Sequence, residues 1–475
     1  MTSDKFRRQL RREAQLWQAE QLIDESLYQK LSDRYQFDRL ETAASDRFVS
    51  ILLGLGGILL GLGVITFVAA NWQEWSRELK TILLLALFLI VNSIGFSLWR
   101  QPPAPPNTSS KKRKLGQGLL IFGALILGAN IALMAQMFHI SGSPYGLYLV
   151  WGLGVLAMAY GLQLTSLGFL AILLMAIGFW TGIPEAFYSE DLSWLDFIVQ
   201  NMASVVGLLF IPLAYWCRSR VIFCMAVLAL VPPLFVSCVE LIYFDNYRAL
   251  WVAIGIILPP ALLWSYDDTL FPKIHSRLFQ PLARTLAIWF FSILFFYLSF
   301  NQFWRFISPS TISSDGLPFT LLNVLEVLLF IGITLWQWFN LAKPSKINPR
   351  RWGLDSVSAV IGCFIVVTGG VMFWHLNIGI IPELGTFIIN VEMFILAAGL
   401  IRIGLGRGNR SAFWGGLVLL TLQIMSRTFE YNTALLFKSL VFVLCGVGVI
   451  AAGLWFERHL SSVSLKTLED NNEIS

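Results

Sequence analysis

About fourteen stretches of roughly twenty consecutive, mostly apolar residues recur along this chain of 475 residues. A run of that length just crosses a hydrocarbon core of about 30 Å as an α-helix rising about 1.5 Å per residue. Lipid offers no hydrogen bonds, so each run must satisfy its own backbone, and a helix does so within one segment. The spacing predicts spans at Phe48–Ala70, Leu79–Leu98, Gly116–Phe138, Tyr145–Leu162, Leu167–Ile183, Leu195–Trp216 and Val221–Tyr243. It predicts further spans at Leu250–Tyr266, Ala283–Gln302, Leu317–Leu341, Gly353–His375, Leu384–Ile403, Phe413–Phe429 and Ala434–Phe456. The fold class is all-α, a polytopic transmembrane helix bundle. With 56% hydrophobic and only 13% charged residues, one water-facing core could not hide this apolar surface.

The basic residues orient the bundle. With the N-terminus in the cytoplasm, about 28 of the 34 Lys and Arg fall in inner segments, as the positive-inside rule requires. Lys343, Lys346, Arg350 and Arg351 share one inner loop, whereas the outer loop 184–196 carries Glu185, Glu190 and Asp191. Losing one span would invert every later loop, so the count is even and both ends are cytoplasmic. The organisation is a helical head (1–46), two spans (47–98), a basic Pro-rich linker (99–115), twelve spans (116–457) and a tail (458–475).

In the head, Phe6, Leu10 and Trp17 fall on one helical face and Arg7, Arg8, Arg11 and Arg12 on the other. The four arginines are candidate contacts for anionic lipid. Asp24 is a candidate N-cap of a second helix carrying Leu27, Leu31 and Tyr35, so the two helices can pair as a hairpin. No recognition-helix pattern points to nucleic acid. The five Cys and four His are scattered without metal or redox spacing, so no metal or other cofactor is expected.

Two stretches carry a family resemblance. One is Ala70-Asn71-Trp72; the other runs from Gly128-Ala129-Asn130 through Gln136-Met137-Phe138-His139 to Leu149-Val150-Trp151. Preceded by Trp17, Leu22 and Ile23, and joined later by Arg427-Thr428-Phe429-Glu430, they resemble the bacterial multi-pass family labelled domain of unknown function 2157, in a cyanobacterial-looking form. The resemblance implies a bacterial plasma membrane, or a thylakoid membrane for a cyanobacterial source, and supplies no catalytic residues.

Ionisable groups inside the spans are the best functional signal, because a charge at a helix centre costs about 2.5–3.5 kcal/mol even on insertion scales. Glu326 and Glu392 fall near the middle of their expected spans, with Asn323 one turn before Glu326. Each carboxyl is either a proton-binding group or a hydrogen-bonded tie between helices. Glu240, Arg427, Glu430 and Lys438, with His139 and His375, gather toward the outer surface as an ion-paired seam or a cavity mouth. Pro232-Pro233 and Pro259-Pro260 are candidate helix breaks, since proline removes a donor and clashes with the preceding turn. The functional readings are a transporter for a small solute or lipid-linked substrate and a non-transporting envelope accessory protein. No nucleophile elbow, zinc-binding helix pair or phosphate loop is present in the sequence, so an enzyme is not expected.

The charge asymmetry makes a direct prediction. In a background lacking the native cysteines, a cysteine in the 102–114 linker should resist an impermeant thiol reagent in intact cells. One between Glu185 and Asp191 should react. The opposite labelling would invert the topology.

Overall fold

A computed structural model describes residues 4–20, 22–35, 74–100, 109–139, 142–186, 193–241, 248–268, 278–307, 321–342, 353–430 and 434–473, with single positions between 52 and 70. The described residues are helical throughout, without strands. The chain divides into one unit over residues 1–87 and a second over 88–475.

The first unit holds the head. Helices α1 (Asp4–Ala19) and α2 (Glu25–Tyr35) pair as the amphipathic pattern predicts. Ala14 is fully buried, and Leu10, Trp17, Ile23, Tyr28, Leu31 and Tyr35 pack around it. Asp24 caps α2: its Oδ1 accepts from the Leu27 amide at 3.0 Å, three residues on, as an N-cap does. The Ser26 hydroxyl donates to its other oxygen at 2.8 Å. These hydrogen bonds, the Ser26 hydroxyl foremost, hold the Asp24 carboxyl below the ordinary aspartate range. Because Leu10 and Trp17 fill the seam of the hairpin, they are not free to insert in lipid. The side chains of Phe6, Arg7 and Arg8, and most of the first expected span, lie outside the described residues.

The helices that follow the head are α3 (Arg77–Trp99), α4 (Ser109–Met137), α5 (Pro144–Leu162), α6 (Thr165–Ala186), α7 (Trp194–Gln200) and α8 (Met202–Trp216). They continue with α9 (Arg220–Glu240), α10 (Arg248–Ser265), α11 (Gln280–Leu298), α12 (Asn301–Phe306) and α13 (Leu321–Ala342). The last are α14 (Ser356–Asn377), α15 (Pro382–Arg407), α16 (Arg410–Glu430) and α17 (Leu435–Glu473). Eleven of the described helices are long and apolar enough to cross a membrane, twelve if a bent pair counts as one span. The expected thirteenth span is helical, as α16, but is not among those eleven.

Two expectations need correction. The sixth expected span, Leu195–Trp216, is not one helix: α7 and α8 meet at Asn201 at an angle of 80°. Only α8, about 22 Å long, is left to cross. The helix breaks expected at Pro232-Pro233 and Pro259-Pro260 do not interrupt α9 or α10, which continue through both pairs.

Close approach of helices depends on glycine at two informative places. At Gly128 on α4 the Trp151 indole of α5 lies where a Cβ would stand, and the indole N–H donates to the Ala124 carbonyl at 2.7 Å. These are residues of the family-like stretch, so that motif is in part a packing motif. At Gly416 on α16 a Cβ would meet the Ala397 carbonyl oxygen of α15 at 2.6 Å, while its neighbour Gly415 faces open space. Backbone cannot yield as a side-chain tip can. Gly416→Ala should therefore lower thermal stability, by the roughly 1–3 kcal/mol typical of overpacking, and Gly415→Ala should not. Equal melting temperatures for the two variants would contradict the tight α15–α16 seam.

Candidate functional site

Two ends of the bundle are told apart by their loops, one carrying Glu185 and the other Arg218 and Arg220. The bend at Asn201 lies toward the Glu185 end. There the first amides of α8 have no preceding turn to bond, as at every helix start. The Glu326 carboxyl supplies a partner. Its Oε1 accepts from the Ser204 amide at 2.7 Å, and its Oε2 lies 2.7 Å from the Ser237 hydroxyl of α9. One carboxyl thus ties α8, α9 and α13 together, and it is 4% exposed. The Ser237 hydroxyl also lies 3.1 Å from the Pro233 carbonyl oxygen. Asn323, one turn earlier on α13, is buried beside this region of the helix.

This geometry accepts either protonation state without losing a partner. Ionised, Glu326 receives hydrogens from the Ser204 amide and the Ser237 hydroxyl. Protonated, it donates its own hydrogen to Ser237 Oγ, and the serine hydrogen turns to the Pro233 carbonyl. The Ser204 amide keeps its acceptor in both.

Glu392 is placed differently. It lies near the middle of α15, where the Thr368 hydroxyl of α14 donates to its Oε2 at 2.8 Å. Its Oε1 is buried with no hydrogen-bond partner among the described residues. Glu326 and Glu392 share no hydrogen-bond partner and form two sites rather than one.

The other expected cluster comes together only in part. Arg427 and Glu430 of α16 form an ion pair, and Glu430 Oε1 accepts from the Asn301 amide at the start of α12. Arg427 also donates to the Ser299 hydroxyl at 3.2 Å and lies over the Phe300 ring. Asn390 and Gln423 extend this seam: the Gln423 amide donates to the Asn390 carbonyl at 2.7 Å. Lys438 lies over the Phe429 ring, 5.8 Å from its centre, and does not join the ion pair. His139 is exposed at the end of α4 in the left-handed backbone region. The Glu240 side chain is outside those described.

His375 is a structural pin. Its Nδ1 accepts from the Ile381 amide at 3.1 Å, so its Nε2 carries the hydrogen and donates to the Ile307 carbonyl at 2.8 Å. The Trp304 ring packs edge-on against it. The arrangement joins α12 to the α14–α15 turn.

Two buried carboxyls were not singled out from the sequence. Asp196 of α7 accepts from the Tyr145 hydroxyl and, at 2.8 Å, from the Ser193 amide in a capping box. Asp268, at the Arg218 end, accepts from the Tyr215 hydroxyl and from the Phe279 and Gln280 amides that open α11. The Ser193-to-Asp196 spacing was legible as a capping box. Nothing local marks Asp268, whose partners come from α8 and from the start of α11. Among the described residues no three His, Cys, Asp or Glu gather as a metal site.

The larger described cavity, about 520 Å³, lies between α15 and α16 and contains neither carboxyl. A smaller one of about 130 Å³ lies among α6, α8 and α9 beside Pro232 and Pro233 and is lined by apolar side chains.

Long apolar helices packed through small residues, with the few buried polar groups hydrogen-bonded between helices, define a multi-pass α-helical membrane protein in contact with the bilayer. Residues 15–168 match the family model described as predicted membrane protein (domain of unknown function 2157). No curated protein and no solved structure matches the chain.

Proposed function

We propose that the protein is a permease for a small solute or lipid-linked substrate, coupled to protons through Glu326, with Glu392 as a second titrating group. The observation that carries this reading is the hydrogen bond of Glu326 to the Ser204 amide in the first turn of α8, beside the 80° bend. Interrupted helices whose N-terminal amides face a polar group are how many transporters build their binding sites. The Ser204–Glu326–Ser237–Pro233 set supports proton coupling, because it takes up or releases a proton with its partners in place. The bundle crosses the bilayer fourteen times with both ends in the cytoplasm, in a bacterial plasma membrane or a thylakoid membrane. The head contacts anionic lipid by charge, through Arg7, Arg8, Arg11 and Arg12, since its apolar face is occupied. No enzymatic step is assigned to any residue.

A second reading is a non-transporting accessory protein. It is favoured by the way Glu326, Arg427 and His375 each tie several helices together, which is what structural glue does.

Proton binding by the purified protein separates the two. Glu326→Gln and Glu392→Gln keep shape and hydrogen bonding and remove only the titration. Between about pH 5 and 9, wild type should release protons that the Glu326→Gln variant does not, with thermal stability preserved. Identical titrations for wild type and both variants would overturn proton coupling and leave the accessory reading.

A further inference from the structure

The groove between α15 and α16 has a composition that selects an occupant. Phe394, Ala398, Ile401 and Leu405 of α15 and Leu420 of α16 make its apolar wall. Arg402 lines the same groove, and Gly406, with open space where a Cβ would stand, leaves its end unblocked. From residue 394 to residue 406 the wall runs about 18 Å along the helix, and the groove, about 520 Å³, is open to the protein surface.

The position of the arginine matters as much as the groove. Helix α15 is about 39 Å long, so both ends reach past a hydrocarbon core of about 30 Å. Arg402 lies about 8 Å before its last residue, Arg407. That is the depth where acyl chains meet headgroups, and where an arginine extends its guanidinium toward phosphate. Among the described residues Arg402 has no carboxylate at ion-pair distance, although Arg305, Arg410 and Arg427 each have one. Arg407, on the next turn, is exposed and, among the described residues, also without a carboxylate. The groove thus combines an apolar channel with uncompensated positive charge at its headgroup end.

We propose that this groove binds an anionic glycerophospholipid, one acyl chain lying along α15 and α16 and the headgroup phosphate on Arg402. The inference requires only that α15 crosses the bilayer and does not depend on transport. A guanidinium pairs well with phosphate oxygens, and the phosphodiester charge of an anionic lipid has no cation in its own headgroup to offset it at Arg402. A zwitterionic lipid fills the same channel, but its headgroup ammonium offsets the phosphate charge and is repelled by Arg402.

The test uses the purified full-length protein in mixed micelles of phosphatidylglycerol and phosphatidylcholine, with retained lipid measured by mass spectrometry. Wild type should favour phosphatidylglycerol by about fivefold, the weight of one arginine on an anionic surface. Arg402→Gln should lose that preference, and Ala398→Trp, which fills the channel, should retain less of either lipid. Excess inorganic phosphate should displace neither, because the chain contributes to binding. Equal retention of the two lipids by wild type, an unchanged preference in Arg402→Gln, or displacement by phosphate alone would overturn the proposal. If Ala398→Trp fails to fold, the Arg402→Gln comparison decides it.

Discussion

A backbone amide inside lipid has no water to bond, and an unmet one costs several kcal/mol. Most of this chain meets the constraint by remaining helical from one end of a span to the other. The bend at Asn201 is where that solution fails, because it starts a helix inside the bundle. The Glu326 carboxyl restores the lost acceptor from a helix more than a hundred residues away and takes a second bond from Ser237. That single side chain links α8, α9 and α13. It also concentrates what a functional site needs: a titratable group, helix amides and a proline-rich neighbour.

The same constraint recurs at the other helix starts. Asp196 and Asp268 accept amide hydrogens where α7 and α11 begin, and Glu430 does so where α12 begins. Each of these carboxyls is reinforced by a further partner, Tyr145 and Tyr215 from other helices and Arg427 from the same helix as Glu430. Among the described residues the buried acidic side chains serve chiefly as acceptors for helix N-termini, where the peptide dipoles favour negative charge. Glu392 is the exception, since it meets a threonine hydroxyl in mid-helix and caps nothing.

The helices were legible in the sequence because span length and hydropathy are local properties. Twelve of the expected spans coincide with described apolar helices or with the bent pair. The head hairpin and the Asp24 cap were legible for the same reason, being encoded within a few residues. The bend at Asn201 was not, although Gln200-Asn201 interrupts an apolar run, because a polar pair within a span specifies no angle. Proline misled in the opposite direction: the pairs in α9 and α10 look like breaks, yet both helices continue. Of the candidate site residues, the carboxyls stood out by their cost in lipid. Their partners, Ser204, Ser237 and Thr368, did not, since a lone serine or threonine in a span is unremarkable until the fold places it.

The central claim is that Glu326 holds the start of α8. Amide hydrogen exchange at Ser204 measures that contact directly, in wild type, Glu326→Gln and Glu326→Ala. The Gln variant keeps an acceptor and should protect the amide as wild type does. The Ala variant leaves it unpaired at a cost of about 1–3 kcal/mol, so exchange should quicken by roughly ten- to a hundredfold. Unchanged protection in Glu326→Ala would contradict the account.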